Sequence, residues 1–326
     1  ELVLNVEVNM FNQISRKIMS MVAENQTIRK ITTKYGMSSE SGFARRFVSG
    51  ETLDEAVEAV KKLNEKGISA TLDLLGESVN SIEDTQKARD KIIETLDAIH
   101  TSGIDSNVSI KLTQLGLDID DKVCRDNVET ILLHAQKYDN FIRIDMESSD
   151  YTQRTLDIFQ YLFKNIGNNV GIVLQSYLYR TEYDVRELNK LGAGVRLCKG
   201  AYLEPKIVAF RKKRLVDENY LRCIKLLFAE GKYPAVATHD ENIITKAKEY
   251  AEQYGIKPDQ FEIQMLYGIR RDLQEQIVKE GYRMRAYVPY GTEWFPYFTR
   301  RLGERMGNVM FMLKSLYRES GDGYSN

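Results

Sequence analysis

Eight short apolar, β-branched runs, separated by stretches of helical periodicity, constrain this chain more than any other feature. They are ISATLDLL (68–75), NVSIKL (107–112), FIRIDM (141–146), VGIVLQ (170–175), GVRLCK (194–199), PAVATH (234–239), FEIQML (261–266) and RMRAYV (283–288). Continuous rather than alternating apolar character suits strands covered on both faces, as in parallel sheets. The intervening segments carry helix signals. Thr52 and Glu55 form a capping box ahead of an apolar face of Leu53, Ala56, Val57, Val60 and Leu63, with Gly67 past its end. Thr181 and Asp240 stand where caps would start two further helices. Eight strands each followed by a helix predict an α/β fold, a (β/α)₈ TIM barrel; an open doubly wound sheet is the alternative.

At 326 residues the chain can hold one barrel, for which about 250 residues suffice, plus an extension. Residues 1–50 are expected to be an N-terminal helical extension, and 51–326 the catalytic barrel. A formal charge of -1 and no basic stripe with interleaved aromatics give no reason to expect nucleic acid. Cys124, Cys198 and Cys223 are odd in number and lack CxxC spacing. His100, His134 and His239 lack metal-ligand spacing, so neither a disulfide framework nor a metal site is expected. No run is long enough to span a bilayer, and no charged n-region leads an apolar h-region at the N-terminus, so no signal peptide is expected. The chain begins without Met.

Nearly every run ends in a polar side chain: Asp73 and Glu77, Lys111, Asp145, Gln175, Arg196 and Lys199, Thr238 and His239, Gln264, and Tyr287. Barrel enzymes build their sites at this end of the strands. The stretch GTEWFPYFTRRLGERMGN (291–308) puts Tyr297, Arg300, Arg301 and Glu304 at i, i+3, i+4 and i+7, a polar stripe where a buried helix would carry an apolar one. Paired guanidiniums match a carboxylate or phosphate bidentately, although a solvated face with an Arg–Glu pair has the same spacing. In VRLCKGAYLEP (195–205), Arg196, Lys199 and the Gly200–Ala201 backbone suit a pyrophosphate; a charged rim turn is the plainer alternative. No GxGxxG follows a strand, and no Walker A loop or G-x-S-x-G elbow is present.

The segments LDLLGE (72–77), SIKLTQLG (109–116), RIDMES (143–148), LQSYLYR (174–180), VRLCKGAY (195–202), ATHD (237–240), EIQMLYG (262–268) and YVPYGTEWFPYFTRRLGER (287–305) together resemble the proline dehydrogenase family, including the corresponding domain of the bifunctional proline utilization flavoenzymes. The resemblance implies a distorted barrel whose last helix lies over the mouth. It further implies FAD bound without a Rossmann domain, oxidation of L-proline to Δ¹-pyrroline-5-carboxylate, and electrons passed to a membrane quinone. By position, Arg300 and Arg301, helped by Lys111, would hold the substrate carboxylate above Asp145. Tyr287, Leu266, Tyr202 and Tyr297 would wall the ring, and Glu77 would close the site by pairing with Arg300. Met146, Gln175, Arg196, Lys199, Gly200, Ala201, Thr238, His239 and Glu304 would hold FAD, with Arg196 near flavin N5. Asp145, Arg196 and Lys111 are the residues expected to carry catalysis.

Leu203 departs from the aromatic that often follows KGAY in the bifunctional members. No fused aldehyde dehydrogenase domain is expected, so a separate pyrroline-5-carboxylate dehydrogenase would take the product. The expected location is cytoplasmic, with peripheral contact at the inner face of the membrane. Three rival readings accompany this one. They are a Schiff-base aldolase using Lys111 or Lys199, a non-catalytic proline-binding protein, and a hydroxyproline-preferring member of the family, against which Tyr287 argues.

Overall fold

The computed structural model describes residues 44–76 and 79–303, with the side chains of 299–303 outside the description. Residues 1–43, Glu77 and Glu304 therefore lie outside the described residues, as do the side chains of Arg300 and Arg301.

The described chain runs α1 (Leu53–Asn64), β1 (Ser69–Leu74), α2 (Ile82–Ser102), β2 (Ser106–Ile110), a 3₁₀ turn (Thr113–Leu115), α3 (Asp121–Gln136), β3 (Ile142–Ile144), α4 (Ser149–Asn165), β4 (Val170–Gln175), α5 (Thr181–Leu191), β5 (Gly194–Cys198), α6 (Lys213–Glu230), β6 (Lys232–Ala237), α7 (Glu241–Gln253), β7 (Glu262–Leu266), α8 (Arg271–Lys279), β8 (Arg283–Tyr290) and α9 (Trp294–Gly303). All eight strands are parallel, pair in sequence order and close into a barrel, β8 returning to β1 with Thr71 opposite Tyr287. The open-sheet alternative is thereby excluded. A continuous apolar layer between strands and helices, including Leu72, Val108, Ile172, Ile224 and Ile263, holds the two rings together.

Side-chain caps at Thr52, Ser81 and Asp120 fix the starts of α1, α2 and α3. Thr52 and Glu55 form the expected reciprocal capping box at α1. Thr181, by contrast, is not a cap. Arg180 occupies that position, and the Thr181 hydroxyl donates to the Gln175 carbonyl at 2.5 Å. Asp240 does precede α7, yet its carboxylate is taken by two lysines instead of the helix backbone.

One departure from a regular (β/α)₈ ring positions the site. The slot outside β1 and β8 is filled by α1, which precedes the first strand and packs on both. The last helix cannot sit there. Instead α9 buries Trp294, Phe295, Tyr297 and Phe298 against Ala44, Val48 and Leu75. The Trp294 indole N–H donates to Glu51 at 2.9 Å, and the Gly291 N–H to the Gly50 carbonyl at 3.0 Å. Leu75 follows the end of β1, so α9 is anchored at the C-terminal end of the barrel. Among the described residues, no helix is long and apolar enough to cross a membrane.

Candidate active site

The barrel encloses a buried charged cluster at the C-terminal ends of the strands. The strand-end expectations shift slightly: Lys111, Asp145, Lys199, Thr238 and His239 lie just past their strands, and Tyr287 lies inside a longer β8. Asp145 is the hub. Its Oδ1 accepts from Ser109 Oγ at 2.9 Å and from Arg196 Nη1 at 3.0 Å, and its Oδ2 accepts from the Tyr287 hydroxyl at 2.7 Å. Arg196 Nη1 also donates to Ser109 Oγ at 3.1 Å, and its guanidinium carbon sits 5.4 Å from the Tyr287 ring centre. Burial, and next the negative charges of Asp145 and Asp73, push the Tyr287 phenol well above its ordinary value.

Lys111 was expected over Asp145; its ammonium instead donates to Asp73 at 2.6 Å. Both side chains are buried. Burial pushes the Asp73 carboxyl up, against the pull of the Lys111 charge and with a smaller push from Asp145. Asp73 was read only as part of the rim and is in fact the direct partner of Lys111.

Beneath this layer lies a charged floor that the strand-end reading missed. Arg285 on β8 donates through Nε to both oxygens of Glu262 on β7, at 3.0 and 3.1 Å, and through Nη1 to the Ala70 carbonyl at 2.5 Å. Arg143 on β3 donates to the Gly194 carbonyl at 2.7 Å and the Ile172 carbonyl at 3.3 Å. Gly171 on β4 makes room for it, since a Cβ there would stand 2.4 Å from Arg143 Nη1. Burial first, then the like charges of Arg196 and Arg285, bring Arg143 down to about 9. The sequence signal was present as alternation: RID, EIQ and RAY each put charged or polar side chains two residues apart, on the strand face that points inward.

Apart from Glu304, which lies outside the described residues, the residues expected to hold a cofactor lie on or just after β3, β4, β5 and β6, on one side of the mouth. Gln175 ends β4 and donates to the Glu147 carbonyl at 2.6 Å and the Met146 carbonyl at 3.2 Å, fixing Met146. Thr238 accepts the Asp240 N–H at 3.1 Å, and His239 Nε2 accepts the Leu266 N–H at 2.9 Å. That bond leaves the proton of a neutral His239 ring on Nδ1. Lys199 is held between Asp217 at 2.7 Å and Asp240 at 2.9 Å. Burial would raise Asp240, but Lys199 and Lys213 more than offset it and hold its carboxyl below the ordinary range. Ala201 and Tyr202 are half-buried beside it.

Gly200 has φ +104°, and a Cβ on it would meet the Tyr177 ring at 2.3 Å. The glycine is thus required by Tyr177 and by its own backbone, not only by an approaching ligand. Tyr297 belongs to the apolar anchor of α9. Cys124 and Cys223 are buried, with thiols pushed up to about 12 by burial, and neither is activated as a nucleophile.

Several buried polar atoms here have no hydrogen-bond partner among the described residues, among them Arg196 Nε and Nη2, Gln175 Oε1 and Asp73 Oδ2 at the mouth and Arg143 Nε on the floor. Buried polar groups are ordinarily satisfied. Donor and acceptor edges left unmet together at a barrel mouth fit a polar heteroaromatic ring or a zwitterionic substrate.

The sequence model described as Proline dehydrogenase matches residues 56–314. The chain belongs to the proline dehydrogenase family. It is 41% identical to Proline dehydrogenase 1 of Bacillus subtilis subsp. natto over 304 residues, covering 93% of this chain and 99% of that protein. It is also 41% identical to Proline dehydrogenase of Deinococcus radiodurans, over 95% of this chain and all of the relative. Among solved structures it is similar to proline utilization A (PutA) from Bdellovibrio bacteriovorus inactivated by N-propargylglycine, with a TM-score of 0.75 and 25% identity over 88% of this chain and 38% of the larger protein.

Proposed function

We infer that this chain oxidises L-proline to Δ¹-pyrroline-5-carboxylate, using FAD held at the C-terminal end of the barrel. The observation that carries this reading is the Asp145 hub in a chain of this family. It fixes one edge of Arg196 and leaves Nε and Nη2 of the guanidinium without a partner among the described residues. When bound, the flavin supplies a two-electron acceptor for the hydride leaving proline Cδ.

The protein's own residues bind and orient. Arg196 offers its unmet donors to the ring system, and Gln175 offers its unmet Oε1. Met146, Gly200, Ala201, Thr238 and His239 would line the rest of the cofactor site. Lys199, already steadied by Asp217 and Asp240, would face its phosphates. Lys111 would be shared between Asp73 and the substrate carboxylate, with Arg300 and Arg301 gripping that carboxylate from α9. Tyr287, its hydroxyl pinned by Asp145, would wall the ring together with Leu266, Tyr202 and Tyr297. The Glu77 gate and the Glu304 cofactor contact remain part of the reading. So do a quinone acceptor, peripheral membrane contact from the cytoplasm and a separate dehydrogenase for the product. Both lysines of the Schiff-base alternative are tied to carboxylates, Lys111 to Asp73 and Lys199 to Asp217 and Asp240, an arrangement unlike that of a free amine nucleophile.

An absorbance spectrum before and after anaerobic proline tests the reading, with a flavin band that bleaches as the expected result. Arg301→Met should raise KM for proline at least tenfold, about 1.4 kcal/mol, while flavin occupancy stays near that of the unaltered protein. A preparation with no flavin band even after added FAD, and a proline adduct trapped by borohydride, would overturn it.

A further inference from the structure

The loop joining β5 to α6 carries a feature the catalytic reading does not use. Its segment PKIVAFRKKR (205–214) has five cations and no acid, in a chain whose formal net charge is -1. Within it, Ile207 is 84% exposed; Leu203 just before it is 54% exposed, and the neighbouring Tyr179 is 49% exposed. Exposed aliphatic side chains in a cationic loop cost hydration free energy unless something covers them.

This loop is held in place. Ala209 bridges Leu178, the Tyr179 N–H donates to the Val208 carbonyl at 3.0 Å, and the Phe210 N–H to the Tyr177 carbonyl at 2.7 Å. The Tyr179 hydroxyl donates to the Lys206 carbonyl at 2.8 Å, and its ring meets Phe210 edge-on at 4.6 Å. Glu204 anchors the near end, accepting from the Ser149 N–H at 2.8 Å and the Tyr177 hydroxyl at 3.0 Å. The fold therefore spends buried hydrogen bonds on presenting Ile207 to the outside. Lys213 and Arg214 are paired with Asp217 and Glu218. Lys206, Arg211 and Lys212 are exposed with no ion pair among the described residues.

We propose that this loop is a docking element for a lipid surface bearing anionic headgroups, with Ile207 and Leu203 entering the acyl boundary and Lys206, Arg211 and Lys212 meeting the headgroups. Charge complementarity selects the occupant: exposed cations and exposed aliphatic side chains in one loop match an anionic interface, where each cation strengthens partitioning about fivefold. A nucleic acid would use the cations but give Ile207 nothing to enter. The loop leaves the C-terminal end of β5, on the face that holds the site, so docking would turn the barrel mouth toward the bilayer. That consequence rests on the proposed function, since it is a lipid-soluble electron acceptor that the mouth would meet; the docking itself does not.

Sedimentation of the full flavin-loaded chain with vesicles tests it, using phosphatidylcholine alone or enriched in phosphatidylglycerol and no proline. The expected result is association with the enriched vesicles that falls with salt. It should drop about tenfold in Ile207→Asn and about 25-fold in the double variant Arg211→Gln/Lys212→Gln. Leu133→Asn, an exposed apolar position elsewhere on the barrel, should bind as the unaltered chain does. Proline oxidation with a water-soluble acceptor should be unchanged in all of them, which also shows that they fold. Equal sedimentation with both vesicle types, loop variants that bind like the unaltered chain, or retention on duplex DNA without vesicle binding would each overturn the proposal. Absent proline oxidation in the unaltered chain would sink the functional reading while leaving the vesicle result to stand.

Discussion

Replacing Asp145 by Asn tests whether the hub is what organises the site. The carboxylate accepts three hydrogen bonds, from Ser109, Arg196 and Tyr287, and no other carboxylate pairs with Arg196 among the described residues. Arg196 is only 5% exposed, so removing the charge leaves a buried guanidinium uncompensated, at a cost of about 3–5 kcal/mol. The lower end applies, because the amide oxygen can still accept from one or two of the three donors. About 3 kcal/mol expressed in the transition state is roughly a hundredfold in kcat/KM. The matched control is Glu262→Gln. It breaks an equally buried pair with Arg285, but on the barrel floor. Both variants should lose thermal stability, and only Asp145→Asn should lose roughly two orders of magnitude in kcat/KM. The assay is proline oxidation with a soluble dye, normalised to bound flavin, alongside thermal unfolding. If Asp145→Asn stays within threefold of the unaltered enzyme, or Glu262→Gln loses as much activity at full flavin loading, the hub reasoning is wrong.

Gly200→Ala should cut flavin occupancy and destabilise the chain by about 1–3 kcal/mol, because φ is +104° and the methyl would strike Tyr177; flavin absorbance per protein checks it, and full occupancy would refute it. Tyr287→Ser should narrow the gap in kcat/KM between proline and hydroxyproline, while an unchanged ratio would remove Tyr287 as the discriminating residue. For pH, burial raises the Glu262 carboxyl but Arg285 and Arg143 lower it further, leaving it below its ordinary value of 4.5. Below that ordinary value the unfolded chain binds the proton first, so this carboxylate's stabilisation is complete above it and lost as pH falls through the folded value. Thermal midpoints of Glu262→Gln should accordingly fall less steeply below about pH 4.5 than those of the unaltered chain.

How much of this was legible in the sequence depends on the kind of signal. Buried parallel strands announce themselves as continuous β-branched runs, and all eight appeared within a few residues of their positions. The Thr52–Glu55 box was legible because both partners sit within one turn. Thr181 was misread because its hydroxyl found the Gln175 carbonyl, a contact made by the preceding loop's path and not by spacing. Likewise, Asp73 rather than Asp145 pairs with Lys111 because adjacent strands β1 and β2 bring those side chains together, a choice that register decides. The floor of Arg143, Glu262 and Arg285 was written in period-two alternation, yet ion pairing across a closed barrel needs the closure before any partner can be named.

That floor also bears on why the mouth should favour an anion. Among the described residues, the barrel interior holds Lys111, Arg143, Arg196 and Arg285 against Asp73, Asp145 and Glu262, an excess of one positive charge. Among the described residues no further carboxylate pairs with these cations: Arg143 donates through Nη1 to two backbone carbonyls and leaves Nε unmet, and Arg196 keeps two nitrogens unmet. In a low-dielectric interior such an imbalance is costly unless a ligand supplies the missing negative charge. An amino-acid carboxylate or a cofactor phosphate does so, and α9 brings two further arginines in sequence to the same end of the barrel. The cationic surplus among the described residues and the displaced last helix thus coincide: α1 takes the ring position outside β8, and α9, whose sequence carries Arg300 and Arg301, is anchored at the same C-terminal end of the barrel.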